Sequence, residues 1–349
     1  MKTALFAIVV TALLSGCATR SIWRPTIEMD NSQKQVIQQA KRAFITVQQT
    51  YKDGSGKPSR HCTSLPFAER AASILALGEI MEATSPEAAD IIVSIQVEGF
   101  EIEGVYKMKN WGGSRQGIVA ASEIYGEVTI KSGNMKPISH YISGGCELPY
   151  DVSFTEPRPR FEKAFEECRF NNILIELLTQ THGIAALAKG VNHSSPQVRE
   201  FCAIELGDLK VPEATGLLGK LLQDSDGRVC LTAAGALKAS SDPAAISLLI
   251  DALERDNSKT KVIVANCLGT RRNTRAVDVL LGQLKGSDEA VSGACAEALG
   301  KIGDARAIDP LIEAMENPKV RIEARPALKK ITGKDLGDNP SDWKKWRKN

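Results

Sequence analysis

The chain has 349 residues, with 44 Lys and Arg against 42 Asp and Glu and 18 aromatic rings. That length suggests about two domains, and a formal net charge of +2 without any long single-sign run speaks against the clustered basic surface that nucleic-acid partners require. Fifteen of the rings lie between Phe6 and Phe170, whereas the whole stretch from Cys202 to Asp342 contains none, so the two halves are expected to be built differently.

Met1 and Lys2 precede an apolar run from Ala4 to Leu14. At about 1.5 Å per helical residue this run is too short to cross a hydrocarbon core of about 30 Å. It reads instead as the apolar region of a signal peptide covering residues 1–16. The run continues into Leu14-Ser15-Gly16-Cys17, which resembles the lipobox of bacterial lipoproteins. The resemblance implies cleavage before Cys17 and lipidation of its thiol. Three acyl chains, each contributing about 0.8 kcal/mol per buried CH₂, would hold the chain on a membrane. In that family an Asp after the lipidated Cys marks inner-membrane retention; Ala18 implies the outer membrane of a Gram-negative cell. The expected location is therefore the cell envelope, facing the periplasm, with residues 17–33 as a polar tether.

Residues 34–180 read as an α+β domain. Alternation and β-branched content predict a strand over Arg42 to Gln48, and apolar spacing predicts a helix over Pro66 to Met81. Further strands are predicted at Ile91 to Val97, Glu101 to Met108, Ser122 to Lys131 and Pro137 to Ser143, followed by one long helix from Arg160 to Gln180. Gly112-Gly113-Ser114 has no helix directly after it, so it reads as a hairpin loop rather than a phosphate cradle. This element order, with Ser85-Pro86-Glu87-Ala88-Ala89-Asp90 leading into a strand, resembles small α+β domains of the curli-secretion-lipoprotein and penicillin-binding-protein-activator group. That resemblance implies assembly with protein partners. In an oxidising compartment one disulfide is expected among Cys62, Cys146 and Cys168. Cys146 with Cys168, both near the final helix, is the favoured pair, although spacing alone does not fix connectivity.

Residues 181–349 repeat. Leu206, Leu237, Leu268 and Leu299 recur at one fixed interval, and the same interval separates Ala214, Ala245, Ala276 and Ala307, as it does Leu218, Leu249, Leu280 and Leu311. Within a unit, Val198, Cys202 and Leu206 mark one helix and Ala214, Leu218 and Leu222 a second. Starts are marked by Ser195-Pro196, Ser225-Asp226 and Ser287-Asp288, and breaks by Gly207-Asp208, Ser240 to Pro243 and Gly303-Asp304. A hairpin with one apolar stripe per helix must stack on its neighbours to bury both stripes. Ala203, Ala234, Ala265 and Ala296 form a small-residue column that lets the helices approach. This pattern resembles the short HEAT-like repeats of the phycobilisome-lyase type, whose fold implies a binding scaffold. The fold class expected is thus an α+β domain followed by an all-α HEAT-like solenoid. Leu187 and Val191 fall one period before Leu218 and Leu222, so a partial repeat is expected to join the two domains into one rigid body. Trp343 and Trp346 are expected to cap the last unit, with Lys344, Lys345, Arg347 and Lys348 turned to solvent.

The four histidines, His61, His140, His182 and His193, lack metal-ligand spacing, and no nucleophile elbow, Walker loop or dinucleotide fingerprint occurs. No catalytic site, metal or cofactor is expected, and Cys202, Cys230, Cys267 and Cys295 read as buried thiols. The candidate binding surface is a row of carboxylates on the second helices, Asp251, Glu254, Asp278, Asp309, Glu313 and Glu316, with Lys220 and Lys285 as exceptions. Such a strip would attract a basic segment of a protein partner. The expected function is a lipid-anchored envelope scaffold for another envelope protein. The alternatives are an accessory or lyase-like protein that binds a small molecule or cofactor, and a self-associating structural lipoprotein.

Overall fold

The computed structural model describes residues 27–348 except 54, 60, 61, 63, 111, 112, 148–157, 167, 169, 256 and 257. The signal segment and Cys17 lie outside the described residues. Ile27 is already buried. Its N–H donates to Glu176 Oε1 at 2.8 Å and its carbonyl accepts from Gln180 Nε2 at 2.9 Å. Residues 27–33, expected in the tether, therefore belong to the folded body. Helix α1 (Asn31–Gln39) follows at once, started by a capping box in which Asp30 and Gln33 satisfy each other's backbone N–H.

Five strands form one mixed sheet: β1 (Arg42–Lys52), β2 (Met81–Glu82), β3 (Ile91–Asn110), β4 (Gly113–Lys131) and β5 (Ile138–Glu147), in the order β2-β1-β3-β4-β5. β1 runs parallel to β2 and β3; the β3–β4 and β4–β5 pairs are antiparallel. The parallel pairs need a crossover, and α2 (Phe67–Leu75) supplies it. With α3 (Arg158–Glu166), α2 covers one face of the sheet. There Val93, Ile95, Val97, Ile124, Val128 and Ile142 meet Phe67, Phe161 and Phe165, all buried. The other face is polar. Thr46, Ser94, Thr129 and Ser139 lie in register across four strands, joined by Thr46–Ser94 and Thr129–Ser139 hydrogen bonds of 3.1 and 2.9 Å.

Three expected elements differ. Ile91 to Val97 and Glu101 to Met108 are one 20-residue strand. Gly99 between them is a clearance rather than a break, because a Cβ there would lie 2.4 Å from the Tyr51 ring and 2.8 Å from Phe161. The helix expected to reach Met81 stops at Leu75, and a 3₁₀ turn ends in left-handed Glu79 (φ 62°). The chain turns there because the Met81 N–H bonds the Lys41 carbonyl at 2.8 Å and starts β2. The single long helix is two, α3 and α4 (Phe170–His182). One faces the sheet and the other the repeats, so a straight helix could not serve both.

Helix α4 belongs to both halves. It packs on α1 and α2, then with α5 (Ile184–Gly190) forms the hairpin on which α6 (Pro196–Leu209) stacks. Arg70 of α2 reinforces the junction. It is paired with Glu166 at 3.0 Å, donates to Ser195 Oγ at 2.9 Å and lies over the Phe165 ring at 5.1 Å. The buried residues form one continuous cluster from Ile27 to Trp343.

The repeats follow as hairpins: α6 with α7 (Pro212–Leu221), α8 (Gly227–Ala239) with α9 (Pro243–Leu253), α10 (Ser258–Arg271) with α11 (Val277–Leu284), and α12 (Glu289–Ile302) with α13 (Ile308–Ala314). Their starts repeat as strictly as their cores. Asp226, Asp288 and Asn317 cap the first helices of their units, and Asp242, Asn273 and Asp304 cap the second-helix segments, each side chain accepting from a backbone N–H two residues on. The Asp of Ser225-Asp226 and Ser287-Asp288, not the Ser, is the cap. The Gly207-Asp208 break is also displaced: α6 runs to Leu209 and Lys210 takes the left-handed turn (φ 52°). Gly207 instead admits the next unit, since a Cβ on it would lie 2.8 Å from Ala236 Cβ. Gly269 and Gly300, in the same column, would each bring a Cβ within 2.6 Å of a Cα, that of Ala298 and of Ala327. Ala203, Ala234, Ala265 and Ala296 are fully buried.

The array ends in α14 (Pro318–Thr332) and α15 (Pro340–Lys348). In α14 the small-residue column becomes Arg325 and the glycine column Lys329. Arg325 binds Asp335 and Asp338 at 3.0 Å each, and Lys329 binds Asp335 at 3.0 Å. Arg325, a long paired cation where the earlier units carry Ala, closes the stack, as a terminal capping repeat must. Trp343 is fully buried and its Nε1–H donates to the Gly337 carbonyl at 2.9 Å. Trp346 meets it edge-on at 6.1 Å, with Lys334 over the Trp346 ring.

Candidate functional site

The second helices α7, α9, α11 and α13 stand side by side, and the six predicted carboxylates all lie exposed on them or at the residues closing them. They do not act as one strip. Ser247, Asp278 and Asp309 share one column of the repeat, and Arg275 and Arg306 share another that reaches back one unit. Arg275 donates to Ser247 Oγ at 3.2 Å and Arg306 pairs with Asp278 at 2.8 Å. Arg347 of α15 completes the series by pairing with Asp309 at 2.7 Å, and Lys344 pairs with Glu316 at 2.6 Å. Lys344 and Arg347 are exposed, as expected, and reach these carboxylates across the surface. One turn of helix separates them, and the buried Trp343 seats that turn against α13. Lys345 makes only a local contact with Asp342 at 3.7 Å.

Electrostatics follow from these pairs. Hydrogen bonding and charge from Arg347 hold the Asp309 carboxyl below the ordinary carboxylate range, and Lys344 does the same to Glu316. Asp335, held by Lys329 and Arg325, falls to about 2. Asp251, Glu254 and Glu313 have no ion-pair partner among the described residues. They are the part of the row open to an incoming cation. The Arg275/Arg306 column, which recurs at the repeat interval, is a sequence signal for the Arg306–Asp278 pair alone; the pairs made by Arg347 and Lys344 have no such periodic signal.

Among the described residues no group of three or more His, Cys, Asp or Glu is placed to hold a metal ion. The thiols of Cys202 and Cys295 are buried and pushed up to about 12 by desolvation, and burial raises those of Cys230 and Cys267. Burial lowers the pKa of His182 and of His193. Cys168 is buried beneath β5 at Gly144, where an added Cβ would lie 3.0 Å from Cys168 Cβ. Cys146 belongs to the same strand, and its side chain lies outside the described residues.

The family comparison agrees with this geometry. Residues 184–262 and 246–329 match the family model for HEAT repeats. No curated protein matches the chain. Among solved structures, human deoxyhypusine hydroxylase in complex with glycerol is 18% identical over 47% of this chain and 80% of that one, with a TM-score of 0.29. The complex of CpcE and CpcF of phycocyanin lyase from Nostoc is 24% identical over 43% of this chain and 65% of that one, TM-score 0.35. A designed armadillo repeat protein in complex with the peptide (KR)4 is 19% identical over 46% of this chain and 86% of that one, TM-score 0.30. The class is an α+β domain carrying a HEAT-like repeat solenoid.

Proposed function

We propose that the protein is a lipid-anchored scaffold of the cell envelope that holds a basic segment of another envelope protein on the second-helix row of its solenoid. The observation that carries the binding half is the contrast within that row: its carboxylates already bind Arg306, Lys344 and Arg347 of the same chain, while Asp251, Glu254 and Glu313 are left without such a cation among the described residues. The anchoring half rests on Leu14-Ser15-Gly16-Cys17 and the location on Ala18. Crosslinking in intact cells, with identification of the captured protein, tests the scaffold. Charge reversal at Asp251, Glu254 and Glu313 is expected to lower capture and flatten its salt dependence; unchanged capture would refute the site. Loss of acyl labelling and of membrane association in Cys17→Ala tests the anchor separately.

A further inference from the structure

The face of the sheet turned away from α2 and α3 carries more than its Ser/Thr row. The next rows across it are Gln48, Gln96, Glu127 and Tyr141, then Thr50, Glu98, Tyr125 and Ser143, then Lys52, Phe100 and Glu123. Tyr141 is 56% exposed, and neither tyrosine belongs to the continuous core. A lone exposed ring is ordinary on a protein surface. Here two neighbouring rings are each matched to a carboxylate.

The register sets Glu98 of β3 directly across from Tyr125 of β4, and Glu127 of β4 directly across from Tyr141 of β5. Opposed residues of an antiparallel pair hold their Cβ atoms about 4.5–5.5 Å apart, so ring and carboxylate form one unit, and the unit occurs twice. The two ring centroids are 6.4 Å apart, with the planes 32° from parallel. Tyr125 donates its hydroxyl hydrogen to Glu123, which leaves the phenol oxygen and ring richer in electrons. Glu98, Glu123 and Glu127 have no ion-pair partner among the described residues. The lysines of this face stand at its two ends, Lys131 opposite Ile92 and Lys52 opposite Phe100. Lys52 lies over the Phe100 ring at 5.3 Å, so the surface already holds one cation on an aromatic face.

This chemistry selects among ligands. The three carboxylates repel phosphate-bearing partners, and a purely apolar partner would strip water from them without return. A guanidinium satisfies both halves of a unit at once, because its plane stacks on the ring while its N–H fork reaches the carboxylate. Alternate side chains of an extended chain fall on one side at intervals of about 6.6–6.8 Å, close to the 6.4 Å between the rings.

We infer that this face is a second docking surface, for an extended segment of a partner protein bearing two arginines separated by one residue. One guanidinium sits on Tyr125 and Glu98 and the other on Tyr141 and Glu127. The surface is independent of the carboxylate row of the solenoid, whose helices contain no aromatic ring and so offer no stacking preference for arginine over lysine.

Fluorescence anisotropy tests this, using the mature chain with Cys17→Ala and a labelled, otherwise neutral peptide with Arg-Thr-Arg at its centre. Saturable binding is expected, weakened about fivefold in Tyr141→Leu, which keeps an apolar side chain at an exposed position, and weakened also in Glu127→Gln. Peptides with Lys-Thr-Lys, or with Arg-Thr-Thr-Arg, which turns the second cation to the opposite side of the strand, are expected to bind less tightly than the first. Charge reversal at Asp251, Glu254 and Glu313 is expected to leave binding unchanged, so that failure of this face and failure of the solenoid row are told apart. Absence of saturable binding, equal binding of the arginine and lysine peptides, or binding that survives both Tyr141→Leu and Glu127→Gln overturns the inference. So does a doubled mass of the free chain that Tyr141→Leu abolishes, since the face would then join two copies.

Discussion

Replacing Trp343 by Ala tests how the end of the solenoid is held and what covers its carboxylates. The ring is fully buried and its Nε1–H is bonded to the Gly337 carbonyl. Removing a buried Trp side chain costs about 3–5 kcal/mol, and the lost hydrogen bond adds about 1 kcal/mol. The Lys344–Glu316 and Arg347–Asp309 pairs are solvent-exposed and screened by water and salt, so they contribute far less. The ring, not the charges, therefore seats α15 on α13. In a quasi-one-dimensional array the loss stays local. Trp343→Ala is expected to unfold α15, speed amide exchange over residues 335–348 and free Asp309 and Glu316, while the α+β domain exchanges as before. Lys344→Ala with Arg347→Ala should leave α15 folded. Exchange measured by mass spectrometry separates these outcomes. Unchanged exchange in Trp343→Ala, or equal loss in the charge variant, would show the reasoning to be wrong.

Four further outcomes follow from named contacts. Gly300→Val must push α14 off α12, since a Cβ at Gly300 already comes within 2.6 Å of Ala327; a loss of about 1–3 kcal/mol is expected, read as a lower denaturation midpoint. Arg199 is paired bidentately with Asp224 at 2.6 and 2.7 Å and also donates to the His193 and Ser194 carbonyls; Arg199→Ala should cost about 2–3 kcal/mol, below the ~3–5 kcal/mol of a fully enclosed pair because water still reaches the guanidinium, and Arg199→Met with Asp224→Leu should cost less than the single change. Acid should loosen the C-terminal cap first: the Asp335 carboxyl is lowered from 3.8 to about 2, so its contribution is complete above the unfolded value and lost as pH falls from about 4 to 2, measured as amide exchange over 325–345. Thiol alkylation with and without reductant should show one protected pair, mapped by peptide mass to Cys146 and Cys168; two separately alkylated thiols would remove that pairing.

The repeat is legible because one constraint recurs at each unit. Every hairpin must present an apolar stripe to its neighbour, and Leu206, Leu237, Leu268 and Leu299 report that constraint at the same point of each unit, free of their surroundings. The N-terminal domain has no such redundancy. Its helix boundaries depend on partners distant in sequence, such as Lys41 drawing Met81 into β2 and the repeats drawing α4 away from α3. Gly99 reads as the end of a strand because a lone glycine weakens one, while its actual reason, the Tyr51 ring across it, is a tertiary contact from the neighbouring strand β1. The candidate site is legible as a set of exposed carboxylates but not as two groups, because charge counted along one helix does not reveal a cation arriving from the next.

That cation series bears on how a solenoid of this kind chooses what it binds. Arg275, Arg306 and Arg347 each reach the column of Ser247, Asp278 and Asp309 from the C-terminal side, so the α10/α11 unit, the α12/α13 unit and the cap helix each cover the polar group of the unit before. The last donor comes from a cap helix rather than a repeat, which makes the array self-complementary up to its end. Among the described residues, Asp251, Glu254 and Glu313 are the carboxylates of the row that this series does not use, further along the same helices. A basic segment laid along the row would bridge those positions without breaking an internal pair. One that competed for Asp309 or Glu316 would first have to lift a helix held by a buried tryptophan.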